Sequence, residues 1–84
     1  MDLKQQFDLA VENSKALTQR PDNETLLRLY ALYKQAELGD IQSAPLENVL
    51  DFIAKAKYNA WLANKGTSRE LARQRYVDLV KSLL

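Results

Sequence analysis

Apolar positions recur at helical spacing through most of the chain, and over residues 26–36 they spread too widely for a single buried stripe. At about 100° per residue, Leu32, Ala36, Leu29, Tyr33, Leu26, Tyr30, Lys34 and Leu27 fill an arc of roughly 220°. A helix packed on one core needs little more than about 100°. Leu27, Tyr30 and Lys34 form one edge of that arc, with Tyr30 and Lys34 neighbours at i,i+4. An apolar edge tipped with a phenol hydroxyl and an ammonium suits a ligand that is part apolar and part anionic. A partner helix laid over the same edge fits the pattern equally well.

The same periodicity predicts four helices and no strand. Residues 3–17 place Leu3, Phe7, Ala10, Ser14 and Leu17 on one stripe, with Asp2 as N-cap and Gln5 at capping-box spacing. Gln-Arg-Pro-Asp at 19–22 breaks that helix, and Asp22 caps a second one running to about Glu37, with Gly39 placed to end it. Residues 39–50 show no sustained period and contain Pro45, which predicts a crossover longer than usual between helices, pinned by Ile41, Leu46, Val49 and Leu50. Helix three spans 52–64, capped by Asp51 and closed by Asn64, Lys65 and Gly66, and its small face of Ala56, Ala60 and Ala63 beside Phe52 permits close approach of another helix. Thr67 with Glu70 makes a capping box for helix four, whose apolar arc is Leu71, Leu79, Leu83, Ala72, Tyr76 and Val80. The expected architecture is all-α: one domain over residues 1–84, a four-helix bundle with one long crossover between helices two and three.

Composition narrows the chemistry. With no cysteine, no disulfide staples the 84 residues, so stability rests on one core. Lys and Arg number 12 against 11 acids, too even a balance for a nucleic-acid binder driven by counterion release. No signal-peptide pattern and no membrane-length apolar run are present, which predicts a soluble intracellular protein without stable membrane insertion. The chain has no His and no Cys, no metal-ligand spacing and no phosphate-cradling glycine loop. Catalysis is left only to an unusual lysine or carboxylate, and no catalytic, metal or cofactor site is expected. Three lysines border apolar faces: Lys15 one turn after Val11, Lys34 one turn after Tyr30, and Lys57 between Ile53 and Trp61. Taken singly, each is read more simply as a stem covering apolar surface with a wet head.

Tyr30-Ala31-Leu32-Tyr33-Lys34-Gln35-Ala36 followed by Gly39-Asp40-Ile41 resembles a family motif, Tyr-x-x-Tyr-Lys-Gln-Ala-x-x-Gly-Asp. Leu50-Asp51-Phe52, Lys55-Ala56-Lys57, Ala60-Trp61 and Lys65-Gly66-Thr67-Ser68 follow in the same order and nearly the same spacing. Over residues 3–83 the chain resembles the acyl-CoA-binding proteins, also called diazepam-binding inhibitors. The resemblance implies a four-helix bundle with an overhand crossover, and a cytoplasmic monomer that binds and carries medium- to long-chain fatty acyl-CoA without transforming it. It assigns Tyr30 and Lys34 to the adenine and its ribose 3′-phosphate, with Lys57 joining at the phosphate, Tyr76 beside the nucleotide, and Lys15 at a basic position near the end of helix one. Tyr33 belongs to the same site, and Phe7, Val11, Leu26 and Leu27 fall at apolar groove positions. Two departures stand out: Ile53 occupies a position where many members carry lysine, and Tyr58 one where tryptophan is common. They bear on chain length and affinity more than on ligand class.

Overall fold

Each helix begins at a side-chain oxygen. The computed structural model describes residues 1–42 and 51–84, and its helices are α1 (Leu3–Lys15), α2 (Asn23–Leu38), α3 (Phe52–Leu62) and α4 (Arg69–Leu83). Asp2 accepts from the Gln5 N–H, and Gln5 returns a bond to the Asp2 N–H, completing the expected capping box. Asp22 caps α2 through the Thr25 N–H, and Asp51 caps α3 through the N–H groups of Ile53 and Ala54. Helix four departs from expectation. Its cap is Ser68, which accepts from the Leu71 N–H, whereas the Thr67 carbonyl is drawn inward to accept from Gln35. One residue decides the difference, because only the side chain next to the first helical turn reaches its free N–H groups.

The helices pack in the order α1, α4, α2, α3, so that α2 has α4 on one side and α3 on another. The core comes from three of them: Phe7 and Ala10 of α1, Leu29, Leu32 and Ala36 of α2, and Ala72, Tyr76, Val77 and Val80 of α4. Val77 lies outside the arc expected for helix four, and Leu71, expected within it, is exposed. Because α4 is covered by both α1 and α2, its buried face is rotated towards Val77. α3 buries no residue completely, and Phe52, at the head of its expected packing face, is 82% exposed. Ile41 is buried as expected; Leu46, Val49 and Leu50 lie outside the described residues.

What fixes α3 and the start of α4 is a polar network at the C-terminal end of α2. The Gln35 side chain is fully buried; its Nε2 donates to Asp40 Oδ1 at 2.8 Å and to the Thr67 carbonyl at 2.7 Å, and its Oε1 accepts from the Trp61 indole at 3.2 Å. The indole N–H also reaches the Gly39 carbonyl at 3.0 Å. Asp40 Oδ1 takes a further N–H from Gly66, whose φ of 91° suits glycine, while Arg69 Nε donates to the Ala36 carbonyl at 3.1 Å. A buried amide is tolerated because both of its N–H groups and its carbonyl oxygen have partners.

Two predictions follow from this network. Gln35→Leu keeps the volume but strands the Thr67 carbonyl and weakens the hold on Asp40, so urea unfolding should show a loss of about 2–3 kcal/mol. The Gly66 N–H, and after it the Gln35 amide, hold the Asp40 carboxyl below its ordinary value of 3.8. A lowered folded value adds stability above the ordinary pKa, and that stability is lost as pH falls through the folded value. Asp40→Asn should therefore lower Tm at neutral pH and flatten its decline below about pH 4, leaving the part due to Asp22, whose carboxyl is lowered by Thr25.

Candidate functional site

The face of α2 that carries Tyr30 and Lys34 stays out of the core. Two adjoining depressions open along it, sharing Leu26 and Tyr30. The first, of about 310 Å³, is bordered by Val11, Ser14 and Lys15 of α1, Leu17, Tyr33 of α2 and Tyr76 of α4. The second, of about 380 Å³, lies between α2 and α3 and is bordered by Arg20, Asn23, Leu27, Phe52, Ile53, Ala56 and Lys57. Together they form one groove, and among the described residues no carboxylate lines it.

Tyr30 stands at the junction with two ammonium groups beside its ring. Lys57 Nζ is 5.3 Å from the ring centroid and Lys34 Nζ is 5.8 Å from it. Lys34 Nζ is also 5.9 Å from the ring of Trp61, which the indole bond to Gln35 and Gly39 fixes in place. The rings supply the electron-rich faces that attract a cation. Among the described residues neither ammonium has a carboxylate partner; the ion pairs there are Lys4–Asp8 and Lys15–Glu12, at 3.7 and 3.6 Å on the exposed face of α1. Two cations from separate helices thus meet at one aromatic ring, which is an arrangement that a phosphate would complete.

A larger cavity, of about 780 Å³, lies on another side of α2, floored by Ala31 and Leu32 and walled by Ala60, Ala63 and Leu79. It is bordered by Glu24 and Arg28 on α2 and by Arg75 and Asp78 on α4, with no aromatic ring among its lining residues. Balanced charge and no stacking surface make it the poorer host for a nucleotide, despite its size.

The family model for acyl-CoA-binding protein matches residues 4–80. The chain belongs to the acyl-CoA-binding protein family. As a member it binds acyl-CoA. It is 44% identical over 82 residues to the acyl-CoA-binding protein homolog of Drosophila melanogaster, covering 98% of this chain and 94% of that protein. It is 50% identical over 80 residues to enoyl-CoA delta isomerase 2 of Rattus norvegicus, covering 95% of this chain but 20% of that enzyme. The crystal structure of Oryza sativa acyl-CoA-binding protein 2 superposes with a TM-score of 0.91 at 34% identity, covering 98% of this chain and 90% of that one.

Of the expected site residues, Lys15, Tyr30, Tyr33, Lys57, Tyr76, Val11, Leu26 and Leu27 border the groove, and Lys34 stands beside its central ring. Phe7 does not border it. It is 1% exposed, stacks on Tyr33 at 6.1 Å and meets Tyr76 edge-on at 5.1 Å, so it sits behind the wall those two rings make. The Tyr76 hydroxyl is engaged as well: it donates to Ser14 Oγ at 3.1 Å, and the Ser14 hydroxyl donates to the Val11 carbonyl at 2.7 Å. Burial pushes the Tyr76 phenol above its ordinary pKa, so it remains protonated and a donor. The sequence reading missed Arg20 and Leu17 at the groove and Trp61 as the platform under Lys34. The last had a signal, since Trp61 follows Lys57 by one helical turn.

Unfolding in urea should separate wall from core. Phe7→Ala should cost about 3–5 kcal/mol of stability, as a buried aromatic. Tyr76→Phe should cost only about 1 kcal/mol, the value of one lost hydrogen bond.

Proposed function

We propose that the chain is a non-catalytic cytoplasmic carrier of medium- to long-chain fatty acyl-CoA esters, acting as a monomer formed by the single domain 1–84. The observation that supports this most directly is the convergence of Lys34 and Lys57 on Tyr30 at the junction of two depressions with no carboxylate among their described lining residues. In this reading Tyr30 and Trp61 offer aromatic faces near the adenine, while Lys34 and Lys57 hold the 3′-phosphate as point charges. Lys15, Tyr33 and Tyr76 line the neighbouring stretch, where Tyr76 contributes its ring and Lys15 a cation on the rim.

The acyl chain is assigned to Val11, Leu26 and Leu27, with Ile53 beside Lys57 supplying further apolar surface. Each methylene removed from water contributes about 0.8 kcal/mol, so chain length offsets the ordering cost of binding. The groove offers ammonium, guanidinium, hydroxyl and apolar groups, and the chain contains neither His nor Cys to act as general base or thiol nucleophile. Acyl-CoA is therefore read as cargo, with no separate cofactor. That the isomerase relative is five times as long as the matching stretch fits a binding module joined there to something else.

Calorimetric titration with palmitoyl-CoA, free CoA and palmitate tests the proposal. The thioester should bind at micromolar protein and more tightly than either half. Lys34→Ala and Lys57→Ala should each weaken it by about ten-fold or more, with Tm preserved, as expected for losing a charge-assisted contact. No binding of the thioester, or an equal loss with Arg28→Ala in the other cavity, would overturn it.

A further inference from the structure

Helices α3 and α4 both pack on α2 but not on each other. The cleft between them is the cavity of about 780 Å³, the largest opening among the described residues. That volume falls within the range of about 300–1,000 Å³ usual for small-molecule sites. Its interior is apolar: Ala31 and Leu32 floor it, and the short side chains of Ala60 and Ala63 on α3 keep it wide. Its rim is charged, and two helices each supply both signs. Glu24 and Arg28 stand one turn apart on α2, and Arg75 and Asp78 one turn apart on α4. Among the described residues none of these four is in an ion pair, since the ion pairs there are both on α1. Asp78 Oδ1 accepts instead from the uncharged Gln74 amide at 3.0 Å.

We infer that this cleft is a second ligand site, for a single-chain amphiphile whose head group carries one positive and one negative charge. The charge pattern selects the class. A simple carboxylate at either helix's rim is drawn to an arginine and repelled by the acid one turn away, and a simple ammonium meets the reverse. A head with both charges finds a partner for each. The tail supplies affinity by moving methylenes from water onto the alanine and leucine surfaces. A coenzyme A ester suits the cleft poorly, because its lining has no aromatic ring and sets as many carboxylates as guanidinium groups against the phosphates. Among the described residues Leu27 alone borders both this cleft and the groove assigned to acyl-CoA. The two sites are thus separate, and the inference stands without the carrier reading.

Calorimetric titration of the full chain with lauroyl carnitine and with lauroyl lysophosphatidylcholine, each below its micelle-forming concentration, tests this. The two share a zwitterionic head and differ in its anion, so the tighter of them shows whether the site prefers carboxylate or phosphate. At least one should bind about ten-fold or more tightly than laurate or dodecyltrimethylammonium, each of which lacks one of the charges. One equivalent of palmitoyl-CoA should leave that binding unchanged. Arg75→Ala and Asp78→Ala should each weaken it about ten-fold. Ala63→Phe, at an exposed position, should abolish it by filling the cleft, with Tm preserved in all three variants. Absence of binding, equal affinity for laurate, or displacement by palmitoyl-CoA would overturn the inference. So would a concentration-dependent dimer in sedimentation velocity that Ala63→Phe abolishes, since a second copy would then occupy the cleft. Failure of palmitoyl-CoA itself to bind removes the carrier reading and leaves this one intact.

Discussion

A buried amide cannot be left half-satisfied, and that constraint on Gln35 organises this bundle. Its two N–H groups and its carbonyl are all used, on Asp40, the Thr67 carbonyl and the Trp61 indole. These partners come from the end of α2, from α3 and from the turn before α4, so one side chain fixes three segments relative to each other. For α3 this matters most, because it buries no residue completely and so lacks an anchor of its own in the core. Trp61 is one turn from Lys57 on that helix; a bond made for polar satisfaction therefore also sets where an ammonium stands beside Tyr30. Removing water from the network raises both its strength and the penalty for breaking it.

α2 divides its circumference between two tasks. Leu29, Ala31, Leu32, Gln35 and Ala36 are buried, whereas Leu26, Leu27, Tyr30 and Lys34 are half-buried and line or flank the groove. Charge separates the groove from the larger cavity elsewhere on α2. Glu24 and Asp78 offset Arg28 and Arg75 there, while the described lining of the groove has cations and no acid. With a net charge of only +1, selectivity for a polyanion has to come from such local arrangement.

Local rules made much of this visible before the fold was known. Asp2, Asp22 and Asp51 were legible as caps because an aspartate before an apolar periodic run satisfies free N–H groups within its own few residues. The excess width of the α2 arc was legible for the same reason. Long-range geometry was not. Ala31 and Gln35 lie outside the apolar arc, yet both are buried, because α2 is covered from more than one side. Val77 entered the core of α4 on the same account. Phe7 fell at a groove position by resemblance, but the rings of Tyr33 and Tyr76 stand in front of it, and no spacing within α1 reports that. Thr67 and Ser68 are adjacent candidates for one cap, and the choice between them depends on Gln35, 32 residues from Thr67.

The central claim is that the groove face of α2, and not its larger cavity, receives acyl-CoA. An amide-resolved NMR titration with palmitoyl-CoA tests it most directly. The largest changes should fall on Lys15, Leu26, Tyr30, Tyr33, Lys34 and Lys57, with Ala63, Arg75, Asp78 and Leu79 little affected. Largest changes at those last four residues, with Tyr30 and Lys57 unmoved, would contradict it.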